Sequence, residues 1–202
     1  MYAITAILFA AAAAAAQTLL MRQESEHEQQ PLNVADALWD GQCFYPRPTP
    51  VFDLDSYLGR WYQVAGSAFD ETQGCTCIYA EYTLNDNGTV NVLNGCQLGE
   101  REFTIQGIAS PADAAYGDAG VFNVQFPQQP EPTDCAGPNY IVQLYTPEWA
   151  IVQASNFSTL FLLSREQQPG NAAIDAWLDI AGKLATNLTD VSKTSQEAFL
   201  FT

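Results

Sequence analysis

Short runs of alternating apolar and polar residues follow one another through the middle of the chain, separated by residues that favour turns. A period of two is typical of β-strands with one buried face. The pattern predicts eight strands, at residues 59–67, 76–84, 89–96, 102–109, 121–126, 140–146, 149–154 and 159–164. Because no helical crossover separates them, we expect an all-β fold, an eight-stranded antiparallel up-and-down β-barrel whose closure removes both exposed edges.

The segment after the eighth strand has a helical period instead. After Pro169 and Gly170, apolar residues recur on one helical face, at Ile174, Trp177, Leu178, Ala181 and Leu184. We therefore predict one C-terminal α-helix that packs its apolar face against the outside of the barrel. The pattern weakens after Leu188, so we assign no regular structure to the tail at residues 189–202.

The segment before the strands is polar and then rich in proline. Residues 17–40 carry several glutamates around His27 and predict a flexible leader. The prolines within residues 46–50 indicate an extended strap. We expect ordered structure to begin at Phe52, in a domain that spans residues 41–188.

The first sixteen residues are almost wholly apolar and end in an alanine run. Such a segment is too short to span a bilayer and is typical of a secretory signal peptide, here residues 1–16, with cleavage near Gln17. Export agrees with three glycosylation sequons, at Asn87, Asn156 and Asn187, and with five cysteines that an oxidising compartment would pair. We expect a secreted, extracellular glycoprotein.

The chain is strongly acidic, with 23 Asp and Glu against 7 Lys and Arg and a formal net charge of −16. A surface of this sign repels phosphate backbones and anionic leaflets, so we expect neither nucleic acid binding nor stable membrane insertion. Hydrophobic residues make up 48% of the chain, which is enough to bury a core. With His27 as the one histidine, we predict no metal, no cofactor and no catalytic residue. The sequence carries no signal for an oligomeric state.

Motifs at both ends of the strand series carry a resemblance to a known family. Gly59-Arg60-Trp61-Tyr62 opens the first strand, and Leu160-Phe161-Leu162-Leu163-Ser164-Arg165 closes the last. Together with Cys77-Ile78-Tyr79-Ala80-Glu81-Tyr82 and Asn94 between them, they resemble the lipocalin family, in particular its apolipoprotein D and bacterial branches. The resemblance covers residues 41–185 and implies a cup-shaped barrel that carries a small hydrophobic molecule.

Three residues of these motifs are expected to close the narrow end of the barrel. Trp61 points inward from the start of the first strand and fills the floor. Arg165 lies over its indole face in a cation–π contact, and Gly59 completes the signature. We interpret these three residues as structural rather than ligand-binding.

An eight-stranded barrel is just wide enough to hold one small ligand. If the alternation holds, eight residues face the interior: Tyr82, Asn94, Phe122, Val124, Phe126, Tyr140, Val142 and Phe161. Mostly aromatic walls with a few polar groups suit a flat or elongated apolar molecule with one polar end, such as a fatty acid, sterol, retinoid-like molecule or tetrapyrrole pigment. Arg101 is the one basic candidate near the open rim to meet a carboxylate, which favours neutral ligands.

The cysteines leave their pairing open. The predicted hairpin at residues 85–88 brings Cys96 near both Cys75 and Cys77, and Cys43 and Cys135 then remain to tie the strap to the barrel. The resemblance does not supply the pairing, because the partners that lipocalins use for the strap cysteine and for Cys77 are absent here.

Two alternatives to a carrier remain. A lipocalin-fold enzyme could act on a bound lipid through an unpaired thiol inside the cup, for which Cys96 has the right parity. A secreted interaction protein could instead fill its barrel with its own side chains. No histidine lies within the domain to activate a thiol, so we predict a carrier and not an enzyme.

Overall fold

A computed structural model of the protein describes residues 36–69, 72–127 and 134–201. The predicted signal peptide and most of the predicted leader lie outside the described residues. The strands within this part of the chain are β1 (Ala37–Trp39), β2 (Phe44–Pro46), β3 (Gly59–Ser67), β4 (Thr76–Leu84), β5 (Val90–Leu98), β6 (Arg101–Pro111), β7 (Val121–Gln125), β8 (Tyr140–Tyr145), β9 (Trp149–Gln153), β10 (Leu160–Ser164) and β11 (Val191–Lys193). The helices are α1 (Leu54–Tyr57) and α2 (Asn171–Lys183).

Strands β3 to β10 form a closed antiparallel barrel. Each pairs with its neighbour in chain order, and β10 pairs back onto β3, with Leu162 opposite Ala65. The predicted fold is therefore confirmed, and the predicted strand ends differ from the observed ones by at most two residues. We call the barrel end at which β3 begins the floor and the opposite end the mouth.

Helix α2 packs on the outer face of the barrel, as its apolar stripe predicts. Ile174 and Ala181 are buried against a patch of fully buried strand residues that includes Ile151, Leu160 and Leu162. Apolar residues thus occupy both faces of β9 and β10, the inner face toward the cup and the outer face toward the helix.

Ordered structure begins earlier than the predicted Phe52. β1 pairs with β2 in a small antiparallel hairpin, with Leu38 opposite Tyr45. The Tyr45 side chain has no exposed surface and packs with Ile141 of β8. The hairpin is not visible in the sequence because three residues are too few to establish a strand period.

The tail beyond Leu188, expected to be irregular, contains a further strand. β11 pairs with β3 at residues 65–67, beyond the point where β4 stops pairing with β3. The chain after β11 is then held by the buried Gln196, whose amide nitrogen donates to the carbonyl oxygens of Gln63 at 2.9 Å and Ile78 at 2.8 Å.

Two disulfides connect distant segments. Cys43 bonds to Cys135, which ties the segment before β2 to the segment before β8. Cys75 bonds to Cys96, and Cys77 is left as a free, buried thiol. The sequence predicts that either Cys75 or Cys77 could pair with Cys96. In the structure the partner is Cys75.

Candidate ligand-binding site

The floor of the barrel is built around Trp61, which has no exposed surface. Its indole nitrogen donates to the carbonyl oxygen of Tyr57 at 2.8 Å. The guanidinium carbon of Arg165 lies 3.8 Å from the centroid of the Trp61 ring. Gly59 has a φ of +87°, and a Cβ built there would lie 3.6 Å from Arg165 Nη1, so glycine suits both the backbone turn and the close approach.

Arg165 also acts as a backbone clamp at the floor. Its two terminal nitrogens donate to the carbonyl oxygens of Arg60 at 2.6 Å, Ser56 at 2.7 Å and Leu58 at 2.8 Å. These carbonyls belong to the end of α1, to the residue that follows it and to the start of β3, so one side chain next to the end of β10 fixes the helix that closes the barrel. The Arg165 guanidinium therefore contacts backbone carbonyls and the Trp61 ring.

A cavity of about 620 Å³ lies above this floor. Seven of the eight residues predicted to face the interior line it: Tyr82, Asn94, Phe122, Val124, Phe126, Tyr140 and Phe161. The volume lies within the range of pockets that take drug-sized molecules. The strand alternation therefore identified much of the cavity wall.

Val142 is the exception among the predicted cavity residues. It is fully buried in the interior cluster that also contains Trp61, but it does not line the cavity. Its backbone carbonyl accepts from Thr49 N at 2.8 Å and its amide donates to Gly120 O at 2.8 Å. Alternation sets which face of a strand a residue occupies but not what covers it, so parity alone could not separate a cavity-lining residue from one covered by its neighbours.

Three tyrosine hydroxyls meet at the bottom of the cavity, and we call them the phenol triad. Tyr140 Oη lies 2.6 Å from Tyr57 Oη and 2.9 Å from Tyr82 Oη. The rings of Tyr57 and Tyr82 are stacked, with centroids 5.6 Å apart and planes 11° from parallel. Burial raises the pKa of Tyr82 to about 12 and the pKa values of Tyr57 and Tyr140 well above 10, so all three are neutral donors near pH 7.

Large apolar side chains line the upper wall and the mouth, beside short polar residues such as Thr72, Asn139 and Ser155. Phe161 stacks on Phe69 with ring centroids 5.7 Å apart. Phe103 and Ile105 line the cavity from β6 but keep 50% and 38% of their surface exposed. Gly107 makes room for Phe126, because a Cβ there would lie 2.6 Å from the Phe126 ring. Large apolar side chains therefore surround an opening that remains accessible from outside.

The cavity is uncharged along its described lining, with no Arg, Lys, Asp or Glu among those residues. Arg60 is paired with Glu81, with 2.7 Å between Nη2 and Oε2, and its guanidinium lies over the Tyr79 ring. Arg101, the candidate for a carboxylate partner, starts β6 next to the exposed turn and does not line the cavity. Within the described ranges, no group of His, Cys, Asp and Glu side chains is arranged to hold a metal ion.

Comparison with known proteins places this architecture in a family. The family model described as the lipocalin-like domain matches residues 52–196, well over half of the chain. The chain belongs to the lipocalin family.

Individual relatives cover this lipocalin to different extents. Temperature-induced lipocalin-1 of Arabidopsis thaliana is 29% identical over 149 residues, which cover 71% of this chain and 79% of that protein. Apolipoprotein D of Cavia porcellus is 44% identical over 54 residues, which cover 27% of this chain and only 28% of that protein. Insecticyanin from the tobacco hornworm Manduca sexta has a TM-score of 0.57 at 19% identity, over 78% of this chain and 87% of that one, and so shares the fold.

The cysteines of this lipocalin do not provide a thiol inside the cup. Cys96 lines the cavity as its parity predicted, but its sulfur is bonded to Cys75. The free thiol of Cys77 donates to the carbonyl oxygen of Glu197 at 3.3 Å, and burial raises its pKa. The hypothesis of an interior nucleophile at Cys96 is therefore wrong, because a disulfide sulfur is not a thiolate.

Several lining residues were absent from the sequence prediction. Tyr57 lies in α1, before the first predicted strand, so strand parity could not find it. Its spacing of four residues from Trp61 was the one available signal, since that spacing allows the hydrogen bond between them. Phe103 and Ile105 alternate on a predicted strand and could have been included on the same grounds as Phe122 and Val124.

Proposed function

We propose that this lipocalin binds and carries one small hydrophobic ligand inside its barrel. The observation that carries the proposal is the cavity of about 620 Å³, which has aromatic and aliphatic walls, polar hydroxyls at its base and an accessible mouth. Burial of an apolar molecule in such a cavity is favourable in proportion to the apolar area removed from water. Family membership supports the same role, since lipocalins are typically binding and transport proteins.

Two alternatives receive less support. An interaction protein with a filled barrel needs side chains to occupy the interior, whereas the interior of this barrel holds an open cavity of about 620 Å³. An enzyme acting through an interior thiol needs a free sulfur, and Cys96 does not provide one. Sterols, fatty acids, retinoid-like molecules and tetrapyrroles are all compatible in size with the cavity.

We also propose that the protein is secreted, with cleavage near Gln17. Two disulfides persist in an oxidising compartment. The three sequon asparagines, Asn87, Asn156 and Asn187, are exposed, so all are accessible for glycans. In the described part of the chain, no helix is both long and apolar enough to cross a bilayer. Intact mass of exported protein should give an amino terminus near Gln17 plus glycan mass, and a chain that starts at Met1 without glycan would contradict the proposal.

Titration with an apolar fluorophore tests the carrier function. Saturable binding with about one site per chain is expected. Phe126→Glu should abolish it, because a carboxylate placed on the cavity wall without a cation is costly to desolvate. Phe44→Glu is the matched control, since Phe44 is half exposed outside the cavity and should leave binding unchanged. Unaltered affinity in the Phe126 variant would exclude the interior as the binding site.

A further inference from the structure

The phenol triad contains one more hydrogen-bond donor than it uses. Three hydroxyls carry three protons, and the two contacts of Tyr140 with Tyr57 and Tyr82 consume only two of them. Among the described residues, no other group accepts from these hydroxyls. In every arrangement of the protons, one O–H bond at the base of the cavity has no acceptor among the described protein groups.

The position of this spare donor makes it available to a ligand. Tyr57 and Tyr82 are 3% and 7% exposed, and all three tyrosines line the cavity. A ligand that fills the base displaces solvent from this donor, and an O–H buried against apolar atoms is unfavourable, so a ligand oxygen placed there is stabilised by the contact. The triad lies at the base of the cup, so a ligand oxygen that meets it lies at the end of the ligand that enters first.

The residues around the triad determine whether the ligand oxygen is charged or neutral. The described lining contains no cation, and the nearby Arg165 is committed below Trp61 to backbone carbonyls. A carboxylate at the triad would be desolvated without a cation to pair with directly, and neutral phenols do not supply that charge. A neutral carbonyl or hydroxyl oxygen accepts the same proton without that cost.

We propose that the ligand is an apolar molecule with a neutral oxygen acceptor, a ketone or an alcohol, bound end-on at the Tyr57–Tyr140–Tyr82 triad. The inference rests on the proposed carrier function and narrows its ligand class, setting fatty acids aside in favour of neutral oxygenated lipids. Asn94, another polar residue on the cavity wall, lies in the middle of β5 and is available to a ligand group farther from the base.

Competition against the apolar fluorophore tests the proposal with four probes that share one rigid hydrocarbon frame: androstane, androstanone, androstanol and androstane carboxylate. Androstanone or androstanol should bind about tenfold more tightly than androstane, the effect of roughly one hydrogen bond. The carboxylate should bind no more tightly than androstane. The stronger of the ketone and the alcohol identifies which group supplies the oxygen.

The matching variant replaces all three tyrosines, Tyr57→Phe, Tyr82→Phe and Tyr140→Phe, so that no hydroxyl is left partnerless and the rings remain. Replacement of both partners of a hydrogen bond by groups of the same shape is nearly neutral for stability. Androstane should bind this variant at least as tightly as it binds the wild type, because no donor is covered by its apolar frame, and the tenfold preference for the oxygenated probes should disappear. Tyr116→Phe, whose hydroxyl donates to Asp40 and does not line the cavity, should keep the preference.

The outcomes separate this inference from the carrier function. Equal affinity of wild-type protein for androstane and both oxygenated probes would overturn the triad contact and leave carriage of an apolar ligand intact. Tightest binding of the carboxylate would overturn it as well, as would an undiminished preference in the triple variant. Absence of saturable fluorophore binding would overturn the carrier function, and the inference with it.

Discussion

The floor and the mouth of this barrel are built from similar residues but packed in opposite ways. At the floor, Trp61 has no exposed surface and the Arg165 guanidinium donates to three backbone carbonyls. At the mouth, Phe103 and Ile105 face the cavity and keep 50% and 38% of their surface exposed. The difference indicates a division of roles, in which the floor contributes stability and the mouth provides access.

The floor and the mouth of the barrel also differ in the interactions that stabilise them. Packing and hydrogen bonds close the floor, whereas both disulfides lie toward the mouth. Cys96 lines the cavity near the end of β5, and Cys135 lies next to Asn156 of the β9–β10 loop, whose amide approaches its sulfur at 3.5 Å. Covalent bonds thus hold the rim where apolar packing is incomplete.

Truncation of the floor tryptophan should give the largest loss of stability. Trp61→Ala removes a fully buried indole and leaves a cavity, so we expect a loss of about 3–5 kcal/mol in the free energy of unfolding. Trp39→Ala is the control, because Trp39 is 53% exposed and should cost much less. Denaturant titration measures both, and comparable losses would contradict the division of roles.

Removal of the disulfides should rank next. Cys43 and Cys135 are 92 residues apart in sequence and Cys75 and Cys96 are 21 apart. Because a longer closed loop restricts the unfolded chain more, the Cys43→Ala, Cys135→Ala variant should lose about 2–4 kcal/mol, and the Cys75→Ala, Cys96→Ala variant less. Thermal unfolding at matched conditions compares them; the reverse order would show that strain or residual structure outweighs loop length.

A smaller effect is expected for the floor cation. Arg165→Gln loses the stacking on Trp61 and weakens the hold on α1, at a cost of about 2 kcal/mol. Arg60→Gln breaks a partly exposed ion pair with Glu81 and should cost roughly 0.2–1 kcal/mol. Equal costs in denaturant titration would mean that Arg165 is only a surface charge.

The smallest effect should come from ionisation of the triad. The pKa of Tyr82 is raised from 10.0 to about 12 in the folded protein, so its contribution is complete below pH 10 and is lost as the pH rises through 12. At pH 11 the loss from Tyr82 should be about 1 kcal/mol. Denaturation midpoints against pH should show this decline in the wild type, and it should be weaker in the triple phenylalanine variant. Phenolate absorbance of the triad in folded protein near pH 10 would contradict the burial.

The barrel could be predicted from the sequence because its strands are long enough to show alternation. The pattern alone predicts the first and last residues of β3 and β4. Residues that face inward pack in the cup, and residues that face outward carry polar groups or pack against α2. β1, β2 and β11 have three residues each and carry no period, so only their partners define them.

The candidate site could be predicted only in part, for a related reason. Parity assigned Tyr82 and Tyr140 to the interior, but their contact depends on the curvature of the barrel and on Tyr57 reaching in from α1. The burial of Val142 away from the cavity and the partner of Cys96 depend in the same way on three-dimensional placement. The face of a strand on which a residue lies follows from the local sequence. Which residues of different strands touch each other depends on the fold as a whole.

Native mass spectrometry of protein purified from its own source tests the central claim most directly. If the cup carries a small hydrophobic molecule, the spectrum should show one ligand mass per chain, released on denaturation, and absent from the Phe126→Glu variant produced in the same way. A folded protein with only the mass of the polypeptide and its glycans, before and after incubation with lipid extract, would contradict the account.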